Sequence, residues 1–180
     1  TRAVRAPSVT EAFNPRSTAF GFAVDPCDRS QVGAGPDPAT RTANCQAAGV
    51  PANFVSLSNQ RSIQTFTFGN TALTNERSDS FTAGFALTPT FFRGFNLTAD
   101  YVDITLRNAI SQFSNTQVVS ACYDATDFPN NQFCGLVTRD PGSFQLTNVG
   151  TTYFNSAQLR YKGILADASY RTNTDFLGKG

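Results

Sequence analysis

The stretch Ser78-Asp-Ser-Phe-Thr-Ala-Gly-Phe-Ala-Leu-Thr-Pro89 decides the fold. Its odd positions Phe81, Ala83, Phe85 and Leu87 are apolar, whereas Ser80, Thr82, Gly84, Ala86 and Thr88 are polar or small. A period of two puts these sets on opposite faces of a β-strand, one of them greasy. Phe91 to Gly94 reads as a short turn. Beyond it Phe95, Leu97, Ala99 and Tyr101 continue the apolar set against Asn96, Thr98 and Asp100, so the two runs predict a β-hairpin. After Tyr101 the apolar phase passes to Val102, Ile104 and Leu106, which predicts a β-bulge between Tyr101 and Asp103. A third run, over 157–171, starts with Leu159 and Tyr161 apolar. It then switches to Ile164, Ala166, Ala168 and Tyr170, with Gly163 as the expected bulge.

Composition agrees with strands. The 180 residues include 22 Thr, 14 Ser, 14 Asn and 17 Phe but only two Lys and two Glu, so good helix formers are scarce and residues suited to a pleated surface abound. The length fits one domain with a sizeable core. With 14 Lys and Arg against 13 Asp and Glu there is no electrostatic footprint for nucleic acid. The absence of His removes His-based acid catalysis, His-ligated metal and the Ser-His-Asp relay. The longest apolar stretch, around Ala19 to Val24, is far shorter than the roughly 18 residues of a membrane-crossing helix, so a membrane role has to use strands. The chain opens at Thr1 with no signal-peptide pattern and is expected to be an excerpt of a longer protein.

Cys27, Cys45, Cys122 and Cys134 lie in Pro/Gly/Asn/Asp-rich stretches at spacings that suit no zinc site. Disulfides are expected, and with them an oxidising compartment. Four cysteines allow three connectivities; pairing Cys27 with Cys45 and Cys122 with Cys134 closes the shortest loops.

Two long connections, Pro7 to Arg77 and Ser111 to about Asn155, separate the clear strands. Such lengths demand internal structure or a scaffold that tolerates large excursions. Ser8-x-x-Glu11 predicts one helical turn over Val9 to Phe13. Shorter strands are expected at Phe54 to Leu57, Ile63 to Phe68, Cys134 to Arg139 and Ser143 to Val149. A short turn on one side and long cysteine-bearing loops on the other is the asymmetry of outer-membrane barrels. A secreted β-sandwich would bury the same greasy face on a second sheet, but runs of twelve to sixteen residues exceed the usual five or six and suit tilted membrane strands.

Chemistry-bearing constellations are few. Asp100 and Asp103, three apart on a strand, fall on opposite faces unless a bulge intervenes, and both are read as lumen-facing polar residues. Asp124, Asp127, Asn130 and Asn131 lack the spacing of a calcium loop and read as turn residues. Gly33-Ala-Gly35-Pro36 has no flanking strand and helix to make a phosphate cradle and reads as a loop tip. No metal, no cofactor and no enzymatic activity are expected.

Three blocks then carry a resemblance: Arg2-Ala-Val-Arg-Ala-Pro-Ser-Val-Thr-Glu-Ala-Phe13, Gly69-Asn-Thr-Ala-Leu-Thr-Asn-Glu-Arg-Ser-Asp-Ser-Phe81 and Ala99-Asp-Tyr-Val-Asp-Ile-Thr-Leu-Arg-Asn-Ala-Ile110. Together with Asp25-Pro-Cys-Asp28, Cys122-Tyr-Asp124 and Arg160-Tyr-Lys-Gly-Ile164, their order resembles the barrel domain of TonB-dependent outer-membrane receptors. Asn75 and Leu165 depart from the family pattern, where Pro and an acidic residue are common.

The resemblance implies an all-β fold, an antiparallel transmembrane β-barrel segment excerpted from a barrel of about 22 strands with long extracellular loops. Residues 1–180 are then part of a single barrel domain, without plug, TonB box or terminal strand. The implied function is TonB-energised uptake of a scarce solute (a siderophore, cobalamin or an oligosaccharide) across the outer membrane of a Gram-negative bacterium; the alternative is a surface-displayed binding or adhesion module without transport. The implied partners are outer-membrane lipid, a small solute and the TonB complex through parts of the parent protein. Phe81, Phe85, Leu97, Ile164 and Tyr170 are expected to face lipid, with Tyr101 and Tyr161 near the outer interface. Ligand contacts are expected from Arg29, Arg41, Phe54, Tyr123 and Phe128 in the two cysteine-bearing loops.

Overall fold

The computed structural model describes residues 1–172. The last residues of the expected domain, 173–180, lie outside the described residues. The chain divides into two compact units. The first holds Thr1–Ala6, Asn75–Ala109 and the chain from Ser156 onward; the second holds Pro7–Thr74 and Ile110–Asn155.

The first unit is built on β1 (Arg2–Arg5), β4 (Glu76–Leu87), β5 (Phe95–Gln112) and β8 (Tyr153–Tyr170), in the order β1-β4-β5-β8. The hairpin read from alternation is present. β4 and β5 pair antiparallel from Arg77↔Arg107 to Leu87↔Leu97 in one unbroken register. Residues directly opposite one another share a face, so Phe81, Phe85, Leu87, Leu97 and Tyr101 lie on one face, and Thr82, Gly84, Thr98 and Asp100 on the other. The greasy face is open: Phe81 and Phe85 are each 61% exposed and Ile164 76%. The connecting turn closes at Gly94, whose φ of +87° favours a residue without Cβ, and Phe92 stacks on both Phe95 and Tyr170.

Two expectations fail here. No bulge interrupts the β4–β5 ladder between Tyr101 and Asp103. Asp103, opposite Phe81, therefore shares the greasy face instead of facing away with Asp100. The physical reason is that the face changes character along its length. Past Tyr101 it carries Asp103, Arg107, Asp79 and Arg2, so the apparent phase slip is a change of environment, not of register. Lys162 and Arg160 both reach Asp103, and β8 is one continuous strand past Gly163. Tyr161 lies over Gly163, where a Cβ would meet its hydroxyl at 2.9 Å. By the antiparallel pairing of β1 with β4, the ends of β1 and β5 and the start of β4 fall at one end of the sheet, opposite the turn. Both long connections thus leave from the same end.

The second unit contains α1 (Val9–Phe13), β2 (Ser17–Gly21), α2 (Pro38–Ala47), β3 (Ile63–Thr67), α3 (Asn115–Tyr123), β6 (Val137–Arg139) and β7 (Leu146–Thr151). Its sheet runs β2-β3-β7-β6, with β3 and β7 parallel. Ser8 and Glu11 cap α1 reciprocally, as their spacing predicts. Asp37 caps α2 ahead of Pro38, and Ser114 with Gln117 forms a second capping box ahead of α3. Val118 and Val119 of α3 and Val149 of β7 are fully buried and anchor a core with Phe54, Leu146 and both disulfides.

The shorter strands are realised in part. Ile63–Thr67 is a strand, but Phe54 to Leu57 is not: the Phe54 carbonyl accepts from Arg29 and the Ser56 amide donates to Asp28, so its backbone is spent on a loop. Cys134–Leu136 is a 3-10 turn ahead of β6, and β7 starts only at Leu146, after the turn in which Asp140 accepts from Gly142 and Ser143. The fold is mostly β with few helices, and the long connections are folded structure.

Candidate functional site

The chemistry of the second unit converges on the corner Asp25-Pro-Cys-Asp28. Pro26 is fully buried and the side chain of Asp25 has no solvent exposure. Asp25 turns its own loop by accepting from the Cys27 amide. Its carboxylate also receives both terminal nitrogens of Arg139, Nη1 at 2.8 Å and Nη2 at 2.5 Å. Arg139 stands at the end of β6, donates Nε to the Tyr123 hydroxyl at 2.7 Å and gives Nη1 also to the Phe144 carbonyl. Its guanidinium lies over the Tyr123 ring, 4.9 Å from the centroid. Burial pushes the Arg139 pKa down, but the hydrogen bond and charge of Asp25 outweigh it and hold the value above the usual arginine range. A bidentate pair so enclosed is a fixed strut between β6 and the first connection.

Asp28 braces the other end of that corner. It accepts from the Ser30 amide and hydroxyl and from the Ser56 amide. Burial raises its pKa, yet these donors and the nearby Arg29 charge hold it below the usual carboxylate value. A second strut joins α2 to the end of α3: Arg41 grips Asp124 through Nε at 2.5 Å and Nη2 at 2.6 Å and donates Nη1 to the Gln31 carbonyl. Gly35 lies against this guanidinium, where a Cβ would come within 2.6 Å of Cζ. Asn44 adds bonds to the carbonyls of Tyr123 and Ala125. Disulfides join Cys27 to Cys45 and Cys122 to Cys134 around these struts.

Of the residues singled out from the sequence, Arg41, Phe54 and Tyr123 lie inside the unit, at 6%, 8% and 4% exposure, and serve its interior. Phe128 is half-buried and stacks on Tyr123 beside an opening of about 310 Å³ that also touches Ala48 and Val137. Arg29 is exposed and lines a groove of about 450 Å³ with Val24, Gln31, Val55, Asn59 and Gln60. Phe20 and Phe22, at the edge strand β2 and just past it, are largely exposed. Asn131 closes a turn by accepting from the amides of Phe133 and Cys134. Among the described residues no cluster of His, Cys, Asp or Glu is placed to hold a metal ion.

Asp25 was visible in the sequence only within the block Asp25-Pro-Cys-Asp28 and Arg139 only as the end of an expected strand from Cys134, and neither was read as a site residue. What the arrangement offers is a preformed surface: amides, hydroxyls, the exposed Arg29 and exposed phenylalanines held on a doubly disulfide-linked frame.

The sequence model of one family, TonB dependent receptor-like, beta-barrel, matches residues 1–179. No curated protein and no solved structure matches the chain. With nearly all of its length matched, the chain belongs to the TonB-dependent receptor β-barrel family, whose members are outer-membrane transporters.

Proposed function

We propose, from membership of the TonB-dependent receptor family, that the intact protein is an outer-membrane receptor of a Gram-negative bacterium. It captures a scarce solute on the outside and imports it with energy from the TonB complex, which it engages through a plug and TonB box. The observation that carries this reading is the first unit's sheet. Its apolar face is open and suited to lipid, and both long connections leave at the end opposite the short turn, as extracellular loops do. In this reading the second unit stands outside the cell, where disulfides persist. Ligand contact falls to Arg29 and Phe128, with Phe20 and Phe22; Arg41, Phe54 and Tyr123 hold the frame behind them. A siderophore, cobalamin and an oligosaccharide are the candidate solutes.

The test is uptake by whole cells of radiolabelled ferric siderophores, cobalamin and oligosaccharides, with and without the TonB system. One solute should be taken up by cells that have both receptor and TonB and by neither deletion strain. Uptake that persists without TonB makes the protein a passive pore, and surface binding with no uptake makes it an adhesion module.

A further inference from the structure

Two grooves flank the segment from Phe22 to Val24 in the second unit. The first, of about 400 Å³, is lined by Phe22, Gln112, Asn115, Thr116, Gln117 and Thr151 and carries no charged side chain. The second is the groove of about 450 Å³ beside Arg29. Each has the size of a small-ligand cleft, roughly 300–1,000 Å³. The segment between them is pinned: the Phe22 carbonyl accepts from Asn115 Nδ2 at 3.3 Å, and the Val24 amide donates to the Thr116 hydroxyl at 3.0 Å. Phe22 lines the first groove and Val24 the second, at 66% and 41% exposure, so the grooves follow one another along one surface. Their donors are held in place. Gln117 spends its side-chain oxygen on the amide and hydroxyl of Ser114, and Asn59 spends its own on the Asp25 amide, which leaves each NH2 to its groove. Asp28, the carboxylate of the second groove, is taken up by Ser30 and Ser56. Arg29 is exposed and has no ion pair among the described residues, while Arg41 and Arg139 are consumed by the two struts.

We infer that the two grooves and the segment between them form one cleft for a linear oligosaccharide containing a uronic acid, with that sugar's carboxylate on Arg29. The inference rests on the reading of this protein as a solute receptor and narrows its solute. Sugar hydroxyls accept from fixed amide NH2 groups such as those of Gln117 and Asn59, and the Phe22 ring presents a flat apolar surface to the C–H face of a pyranose. A planar guanidinium takes a carboxylate bidentately. A multiply charged ferric chelate calls for several convergent cations, and the cleft presents one. A wholly neutral glycan leaves that cation without an acceptor. One guanidinium at the end of a run of uncharged donors matches a chain with a carboxylate on one sugar and hydroxyls on the rest.

The test is calorimetric titration of the intact receptor in detergent with tetramers of galacturonate, guluronate and glucuronate, and with the carboxyl-reduced counterpart of each. One uronate tetramer should bind about tenfold more tightly than its reduced form, which keeps the ring hydroxyls and lacks the charge. R29Q should erase that difference by weakening the acidic form alone, whereas R93Q, on the turn of the first unit, should leave it intact. F22A should weaken both forms by about fivefold. Q117E keeps the capping box with Ser114, and so the start of α3, but replaces a donor by a charged acceptor; it should weaken both forms, the acidic one more. The proposal is overturned if no uronate tetramer binds, if the reduced form binds equally well, if R29Q weakens both forms alike, or if F22A and Q117E bind as the native receptor does. A ferric siderophore or cobalamin whose binding R29Q, F22A and Q117E all weaken takes the cleft instead and overturns the sugar. Uptake by whole cells separates the two readings. TonB-dependent uptake of a siderophore or cobalamin with no uronate binding overturns only the assignment of the cleft, whereas uronate binding with the expected variant pattern and no TonB-dependent uptake overturns the transport reading and leaves the cleft standing.

Discussion

Arg139→Met is the sharpest probe of how the second unit holds its surface. Arg139 makes four hydrogen bonds, two to Asp25 and one each to Tyr123 and Phe144, with its side chain only 9% exposed. Methionine keeps most of the apolar stem, so the cavity term is small and the loss is electrostatic. Asp25, with no solvent exposure, is left with the Cys27 amide as its donor. Removing one partner of a buried ion pair costs about 3–5 kcal/mol, chiefly because the other charge stays buried without compensation. Tyr123 loses a donor and the cation over its ring as well.

The readout is amide hydrogen exchange in the intact receptor, followed at Cys27, Val137 and Val149. A local destabilisation of that size speeds exchange through local opening by about 10²- to 10⁴-fold. The double variant D25N/R139M should recover part of the loss, since a neutral amide in place of the carboxylate removes the uncompensated charge. Exchange within about threefold of native in R139M, or a double variant no better than the single, would refute the view that this pair is the strut of the unit.

Three further outcomes are expected. Phe85→Arg, on the open apolar face proposed to meet lipid, should cost about 2–4 kcal/mol and lower the yield of heat-modifiable folded receptor in the outer membrane, whereas Thr82→Arg on the opposite face should leave that yield nearly unchanged. Replacing Cys27 and Cys45 by serine removes a link across 18 residues, and replacing Cys122 and Cys134 removes one across 12. Either change should lower the unit's stability by about 3 kcal/mol, seen as faster limited proteolysis between Pro26 and Phe54 or between Cys122 and Cys134. Asp28, held below its usual pKa, contributes stability that is fully present above the unfolded carboxylate value of about 3.9 and is lost as pH falls through the lower folded value. Exchange at the Ser56 amide should therefore accelerate below about pH 4 in the native protein, and Asp28→Asn should flatten that acid limb.

The hairpin was legible because a strand with one lipid-suited face leaves a period-two record, and Phe81 to Leu87 keep it without exception. The α1 turn was legible for a similar reason, since a capping box is written within four residues. The same box at Ser114 and Gln117 stands inside a stretch that reads as a cysteine-bearing loop, although Val118, Val119, Cys122 and Tyr123 follow it at helical spacing. Pro38 follows its cap Asp37 at the first helical position, where Pro is favoured, but Pro in a turn-rich stretch marks a loop just as readily. Most of the site was illegible for a different reason. Asp25 and Arg139 lie 114 residues apart, and nothing local marks either as a partner. Arg41 and Tyr123 were visible as arginine and aromatic in a loop, but side-chain type does not say which way it is turned. Burial decided that, and burial is a property of contacts made far along the chain.

The phase slips after Tyr101 and before Ile164 show why alternation has to be read with the solvent in mind. In a strand that meets one medium along its whole length, a change in which positions are apolar means a change of register, and a bulge is the economical explanation. In β5 the β4 pairing runs straight through, and what changes is which side chains the same face can carry. From Phe81 to Leu87 that face rejects charge; at Asp103 and Arg107 it accepts several. The opposite face changes in the reverse sense, from Thr98 and Asp100 to Val102, Ile104 and Leu106. A single straight strand therefore reads as two half-strands in opposite phase, because, in the proposed membrane setting, the residues on each face are matched to two media in succession. The boundary falls at Tyr101, an aromatic with a polar tip, which is the side chain suited to sit where the two media meet.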